Sequence, residues 1–428
     1  MRLPQLLVVF ALSSVERAVA SSSTLPSTAP ACGLQCIVQY TTPSTCSLTD
    51  VACICTNVPL LTEITQCVTA NCSVVEQLET TRYSKGMCGV EPEDNTAMVA
   101  AVPMVFGSLA VVVFGLRIYS KCYVGLRGWG ADDWAMTAAV AFTIPLMVLS
   151  VPLSEAGLGR DIWNLSRGEV TRVLYLYFWD ELVYFPATAF TKISILLFYL
   201  SIFKSSIRWI RPAAWSLIGL NVGYMVAFDL VSIFQCTPVP GAWLHWDGEY
   251  DAVCRNINAQ AWASAAINIV LDVTTLLLPM PALWKLSMST AKKVQVMLMF
   301  GLGGFVTIVS ILRLHTILEF GSSANITQDY VAIGVWTTIE VPVGVICACL
   351  PSIRTLLKEF MPSVFGSTQA SRSGYLERSV PVVSDQVWAI RGSNNNPKAA
   401  YADPKDYHWS DRSSSVELNH IHAHRDMV

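Results

Sequence analysis

The chain carries 13 cysteines in 428 residues, and eight of them fall in one stretch: Cys32, Cys36, Cys46, Cys53, Cys55, Cys67, Cys72 and Cys88. Thiols at that density pair oxidatively. A segment this short cannot bury a large apolar core, so cross-links that restrict the unfolded chain take its place. Such pairing persists only in an oxidising compartment, which puts the residues after the N-terminus outside the cytosol. Eight cysteines allow roughly a hundred pairings, and their number does not choose among them. Cys236 and Cys254 bracket a later loop and are expected to pair in the same oxidising space. Cys122 reads as cytosolic and close to the membrane, and Cys347 and Cys349 read as packing residues.

A second set of reactive types sits inside long apolar runs, where an ionisable side chain is costly and normally turned inward. Glu181, Tyr184, Thr188 and Lys192 share one helical face. Asn268 and Asp272 lie one turn apart, and Arg313 and Glu340 stand in the last two runs. Lys192 is alone as a lysine well inside a run and needs a counter-charge. A contact with Asp272 or Glu340 is therefore expected, either as a helix clamp or as a switch.

These residues must be held by membrane helices. The composition is 53% apolar and 14% charged, well below the roughly 25% charge of soluble domains. A net charge of −3 argues against a nucleic-acid partner. Seven apolar runs, at about residues 97–119, 131–152, 173–202, 212–235, 259–282, 294–317 and 328–351, reach the roughly 20 residues that span a bilayer. They are too long and continuous for strands, and a helix satisfies its own backbone in lipid. The expected class is all-α: a cysteine-rich module at 21–95, a seven-helix bundle at 96–360 and a disordered cytosolic tail at 361–428.

Residues 1–20 read as a signal peptide, with Arg2, a short apolar run and Ala18-Val19-Ala20 before the cleavage point. A Ser/Thr/Pro spacer follows. With the module outside, the inner connections carry Arg117, Lys121 and Arg127, then Lys204, Arg208 and Arg211, then Lys285, Lys292 and Lys293. The outer side carries the sequons at Asn164 and Asn325, with a further candidate at Asn71. Basic residues concentrate inside, so an extracellular N-terminus and a cytosolic C-terminus are expected. His420, His422 and His424 read as part of a solvated tail rather than a metal site.

The order Pro30-Ala31-Cys32-Gly33, Cys36, Cys46, Asp50, Cys53-Ile54-Cys55, Cys67, Cys72 and Cys88 resembles the fungal CFEM domain across its whole motif. The resemblance implies a small helical basket with bridges Cys32–Cys72, Cys36–Cys67, Cys46–Cys53 and Cys55–Cys88. In several secreted members the aspartate matching Asp50 is an axial ligand to ferric haem, and a carboxylate is a hard donor suited to Fe(III). The plainer expectation is that Asp50 caps the next helix.

The bundle resembles the fungal rhodopsin-like integral membrane family. The motifs are Trp129-Gly130-Ala131-Asp132-Asp133-Trp134, Gly157-Leu158-Gly159, Phe234-Gln235-Cys236-Thr237-Pro238-Val239 with Trp246-Asp247, and Leu278-Pro279-Met280-Pro281-Ala282-Leu283-Trp284-Lys285-Leu286. Later ones are Ser310-Ile311-Leu312-Arg313-Leu314, Glu340 and Cys349-Leu350-Pro351-Ser352-Ile353-Arg354. Arg160-Asp161 departs from the family, where a basic residue and a histidine are common. The resemblance implies a receptor-like protein of the plasma membrane, with some members linked to host-surface sensing and virulence. Its partners would be the bilayer, an extracellular ligand, and cytosolic signalling proteins or host proteins.

Retinal is not expected, because residues 331–350 offer no lysine for a Schiff base. The competing expectations are surface haem or iron capture and effector-like binding of host partners. An enzyme is not expected, for no nucleophile–base spacing, metal-ligand cluster or phosphate loop appears.

Overall fold

The computed structural model describes residues 29–123, 128–202, 209–281, 290–320 and 325–360. The leader, most of the spacer, the tail with its histidines, and Arg127, Lys204, Arg208 and Lys285 lie outside the described residues, as do the side chains of Lys292 and Lys293.

Four short helices build the N-terminal module: α1 (Ala31–Thr41), α2 (Val51–Thr56), α3 (Val58–Asn71) and α4 (Val74–Met87). Local capping sets their starts. The Asp50 carboxylate accepts the Cys53 N–H at 3.0 Å, and the Asn57 amide oxygen accepts that of Leu60 at 3.3 Å. At α4 a reciprocal capping box joins Ser73 and Glu76. The hydrogen bonds from Ser73 hold the exposed Glu76 carboxyl below its ordinary range. Cys32–Cys72, Cys36–Cys67, Cys46–Cys53 and Cys55–Cys88 are bonded. Cys36, Cys46, Cys67 and Cys72 pack with Ile37, Ile54, Leu60, Ile64 and Val68 into the module core, with Cys32 and Cys53 against it. Gly33 permits α1 to cross α4, since a Cβ there would fall 2.0 Å from the Thr80 hydroxyl.

Seven helices among the described residues are long and apolar enough to cross a membrane. They are α5 (Thr96–Tyr123), α6 (Ala131–Glu155), α7 (Arg167–Ile202), α8 (Ile210–Ile233), α10 (Ile257–Leu277), α11 (Thr290–Phe320) and α12 (Ile326–Phe360), with the short α9 (Gly241–Leu244) before α10. Burial reaches 61% in the apolar stretches of α7 and α12 but 22% in those of α8 and α11, so α7 and α12 are the central staves. Large apolar side chains such as Val112, Leu220 and Ile308 stay exposed on the outer faces. In water that would be a liability; it is the surface a lipid-facing helix requires.

At the module end of the bundle, the 156–166 loop turns through Gly157 and Gly159, both at positive φ. Gly159 is obligatory for a second reason. Its carbonyl accepts the Asn95 N–H at 2.7 Å, and a Cβ would lie 2.8 Å from the Asn95 backbone. The next loop is pinned by Cys236–Cys254 across a two-residue hairpin, β1 (Cys236–Thr237) with β2 (Val253–Cys254). Arg167 pairs there with Asp247 and Glu249.

Candidate functional site

The most concentrated chemistry lies in the middle of the bundle, on α7, α10, α11 and α12. Lys192 is 6% exposed and its ammonium stands 3.0 Å from Asp272 Oδ1. It also donates to the Asn268 side-chain oxygen. Asn268 Nδ2 passes the network on, donating to Asp272 Oδ2 at 3.3 Å and to Glu340 Oε1 at 2.6 Å. Ser310 donates to Asp272 at 3.0 Å. Tyr184 donates to Glu340 at 3.3 Å, and Arg313 Nε lies 3.3 Å from the same carboxylate. The Arg313 guanidinium sits 4.9 Å over the Tyr184 ring. Two cations thus face two carboxylates, which makes the cluster formally neutral and tolerable in a dry interior.

Every helix contributes by spacing. Tyr184 and Lys192 are two turns apart on one face of α7, and Asn268 and Asp272 are one turn apart on α10. Glu181, expected on the same face, is held apart from this cluster: its Oε1 accepts from Ser232 at 2.9 Å and Gln260 at 3.2 Å.

A second ionic cluster closes the opposite end of the bundle. Arg117 donates to Asp133 at 2.9 Å, to Asp132 at 2.7 Å and to the Ala348 carbonyl at 2.7 Å. Lys121 and the Gly130 N–H each reach Asp133 Oδ2 at 2.9 Å. This corrects the sequence reading of Arg117 as an inner-loop cation. It is 2% exposed, because Asp132 and Asp133 in the first turn of α6 supply two buried carboxylates for it. The Trp-Gly-Ala-Asp-Asp-Trp motif is therefore a clamp that ties α5, α6 and α12 together.

At the module end, Asn325 is locked into the seam between loops. Its amide nitrogen donates to Asp161 at 2.8 Å and its oxygen accepts the Ile162 N–H at 3.0 Å. Thr327, the other sequon residue, is 2% exposed and donates to the Arg160 carbonyl. A glycan on Asn325 would break this seam, so the expectation of two occupied loop sequons needs revision. Expressed in a eukaryotic secretory system with Asn71 already replaced by glutamine, Asn164→Gln should abolish the remaining glycan-dependent mobility shift. Asn325→Gln should leave that shift in place while weakening the fold. Asn71 is exposed at the end of α3.

Two cavities flank the central network. One of about 350 Å³ opens at the module end, where Arg255, Asn256 and Asn258 are exposed, and descends past Asp180 and Tyr330 to Tyr184 and Arg313. The other, about 60 Å³, borders Lys192, Asp272 and Glu340 toward Tyr199 and Cys347. A third, of about 580 Å³, lies between the module and the bundle, bounded by Leu61 and Leu78 on one side and Trp163 and Trp246 on the other. Lys85 of α4 stacks over the Trp163 ring at 5.7 Å.

Residues 116–359 match the fungal rhodopsin domain, more than half of the chain, and residues 25–89 match the CFEM domain. The chain belongs to the fungal rhodopsin family. It is similar to a SAT4 family membrane protein of Emericella nidulans, 29% identical over 250 residues, covering 58% of this chain and 62% of the relative. The chain therefore spans under two thirds of that relative's length. It is also similar to Receptor GIN3 of Arthrobotrys oligospora, 25% identical over 289 residues, 65% of this chain and 68% of the relative. The module alone is similar to a GPI-anchored hemophore of Arthroderma benhamiae, 45% identical over 47 residues, 11% of this chain and 24% of the relative. No solved structure matches.

Asp50 stands apart from all three cavities. One carboxylate oxygen caps α2, while Leu48 and Val51 on either side are 49% and 37% exposed. An exposed hard-oxygen donor between exposed apolar side chains is compatible with an open seat for a flat apolar macrocycle. The groups that sequence reasoning missed are Asp132, Asp133 and Arg117 as one buried clamp, and Asp180 as a cavity carboxylate. All four are ionisable residues at the edges of or within apolar runs, and that was the available signal.

Proposed function

We propose that this fungal rhodopsin family member is a receptor-like protein of the plasma membrane. Its module would lie outside and its C-terminus in the cytosol, and its bundle would respond to a small extracellular molecule. One observation carries the reading: the module-end cavity and the central charge network share Arg313 and Tyr184. A molecule entering from the module side would meet the cations and carboxylates that join α7, α10, α11 and α12. The similarity to a protein named as a receptor supports it. The five disulfides support an extracellular module end, since all of them lie there. Inner loops and tail would report to cytosolic signalling proteins. A C-terminal tag should be protected from protease in intact cells; digestion from outside would reverse the orientation.

The test of the receptor reading is to fill the cavity. Gly334 lines it, and a Cβ added there meets no atom within 4 Å, which leaves room to start a larger side chain. Gly334→Phe should fold and reach the surface like the native chain. A deletion strain carrying it should keep the deletion's transcriptional profile on host extracts. A profile restored to that of the parent strain would remove the cavity from the mechanism.

The hemophore-like module favours a second reading, haem or iron capture at the surface. Haem, when bound, would supply a ferric iron for which Asp50 is the hard-oxygen donor. Full-length protein in nanodiscs titrated with ferric haem should then show a Soret shift that Asp50→Ala abolishes. The disulfides should be unchanged by the substitution. No shift with the native chain would end this reading.

A further inference from the structure

The cavity at the module end carries its own statement of ligand chemistry. Asp180 on α7 lines it and is 8% exposed, yet no hydrogen bond or salt bridge among the described residues reaches its carboxylate. The neighbouring Glu181 is already held by Ser232 and Gln260. Burying an unpaired carboxylate is costly, and such groups persist where a counter-ion completes them. On another wall, Arg313 is 4% exposed; its Nε and Nη2 are sealed within the protein, while Nη1 is not sealed in this way and makes no hydrogen bond among the described residues. Its contact with Glu340 is ionic, at 3.3 Å, without hydrogen-bond geometry.

The charge balance of the lining has a sign. Asp180, Glu181 and Asp329 face Arg255 and Arg313, three carboxylates against two guanidiniums, which leaves −1. Glu340 already offsets part of the Arg313 charge, so the deficit around Asp180 is the larger one. Tyr177 and Tyr330, stacked at 4.5 Å, add aromatic surface beside it. Aromatic faces and an unpaired carboxylate together recognise an organic cation. The unpartnered Arg313 Nη1 can donate to an acceptor on the same molecule.

Resting on the receptor reading above, we infer that the cavity binds a small organic amine. Its ammonium group pairs with Asp180, and a carbonyl or similar acceptor on the same molecule meets Arg313. A volume of about 350 Å³ admits one aromatic ring with a short polar arm. A free carboxylic acid of the same size would lack a partner at Asp180 and be repelled by it.

The probes are three compounds of one shape: tyrosinamide, with cation and carbonyl; tyramine, with the cation alone; and hydroxyphenylpropionate, with an anion. Binding to full-length protein in nanodiscs is measured by calorimetry, and folding by the melting temperature of each variant. Tyrosinamide should bind most tightly, tyramine more weakly, and the acid not at all. Asp180→Asn should fold normally and lose about 10- to 100-fold in amine affinity, the scale of a charged hydrogen bond. Asp180→Glu should keep most of it. The inference is overturned if the acid binds as tightly as the amines, if neither amine binds, or if Asp180→Asn leaves amine affinity unchanged. The Gly334→Phe strain judges the receptor reading separately, whatever the ligand class.

Discussion

Replacing Lys192 by alanine is expected to destabilise the bundle by about 3–5 kcal/mol, the cost of stranding a buried charge. The ammonium pairs with Asp272 at 3.0 Å, and without it that carboxylate keeps, among the described residues, Ser310 and Asn268 as donors. A loss of that size is a large share of the stability of any fold. Surface expression of Lys192→Ala should therefore collapse. The pair Lys192→Met with Asp272→Leu should regain much of it, because apolar residues of similar volume replace a buried ion pair at little net cost. Surface labelling compares the two variants directly. A single mutant that expresses as well as the native chain would show that the pair is not buried as described.

The second large effect is expected at the other end. Arg117→Ala removes the partner of two carboxylates at once, leaving Lys121 for Asp133 and, among the described residues, no ion-pair partner for Asp132. It also frees the Ala348 carbonyl, so α5, α6 and α12 lose their shared tie. The expected loss is again about 3–5 kcal/mol or more. Arg117→Lys should rescue it only in part, since an ammonium cannot reproduce the fork that reaches both aspartates. Thermal unfolding of the purified variants should rank native chain, lysine, alanine. Equal melting temperatures would reduce the clamp to a surface contact.

How far these features could be read beforehand depends on the environment each residue needs. The seven spans were legible because continuous apolar runs have no other stable use at that length. Lys192 with Asp272 was legible for a related reason: a lone lysine deep in such a run must be paired. Arg117 was not. It stands near the end of its run, where a basic residue also satisfies the positive-inside pattern, and only the approach of Asp132 and Asp133 buries it. Asp180 was missed in favour of Glu181, about 100° round the helix from it, although Asp180 stands one turn before Tyr184. Its significance arises from the space between α7 and α12, which no local pattern encodes. The loop glycines were seen as a motif, but the contact of Gly159 with Asn95, which requires glycine, joins segments more than sixty residues apart.

The same division holds in the module. The cysteine order carried the resemblance that implied a helical basket, while the close crossing at Gly33 and Thr80 needed the packed helices to appear. The Asn325 sequon is a comparable case. As a tripeptide it is an acceptor site, but as folded it is a strut between Asp161 and Arg160.

The central claim is that the charge network beneath the cavity does more than hold helices together. The most direct measurement is a charge swap, Lys192→Glu with Asp272→Lys, expressed in the deletion strain and read for both surface level and transcriptional response to host extracts. The swap restores an ion pair of the same length class but reverses its field toward Asn268, Glu340 and Arg313. The account predicts surface expression near that of the native chain together with a lost response. Recovery of both expression and response would contradict it, and would make the pair a structural clamp alone.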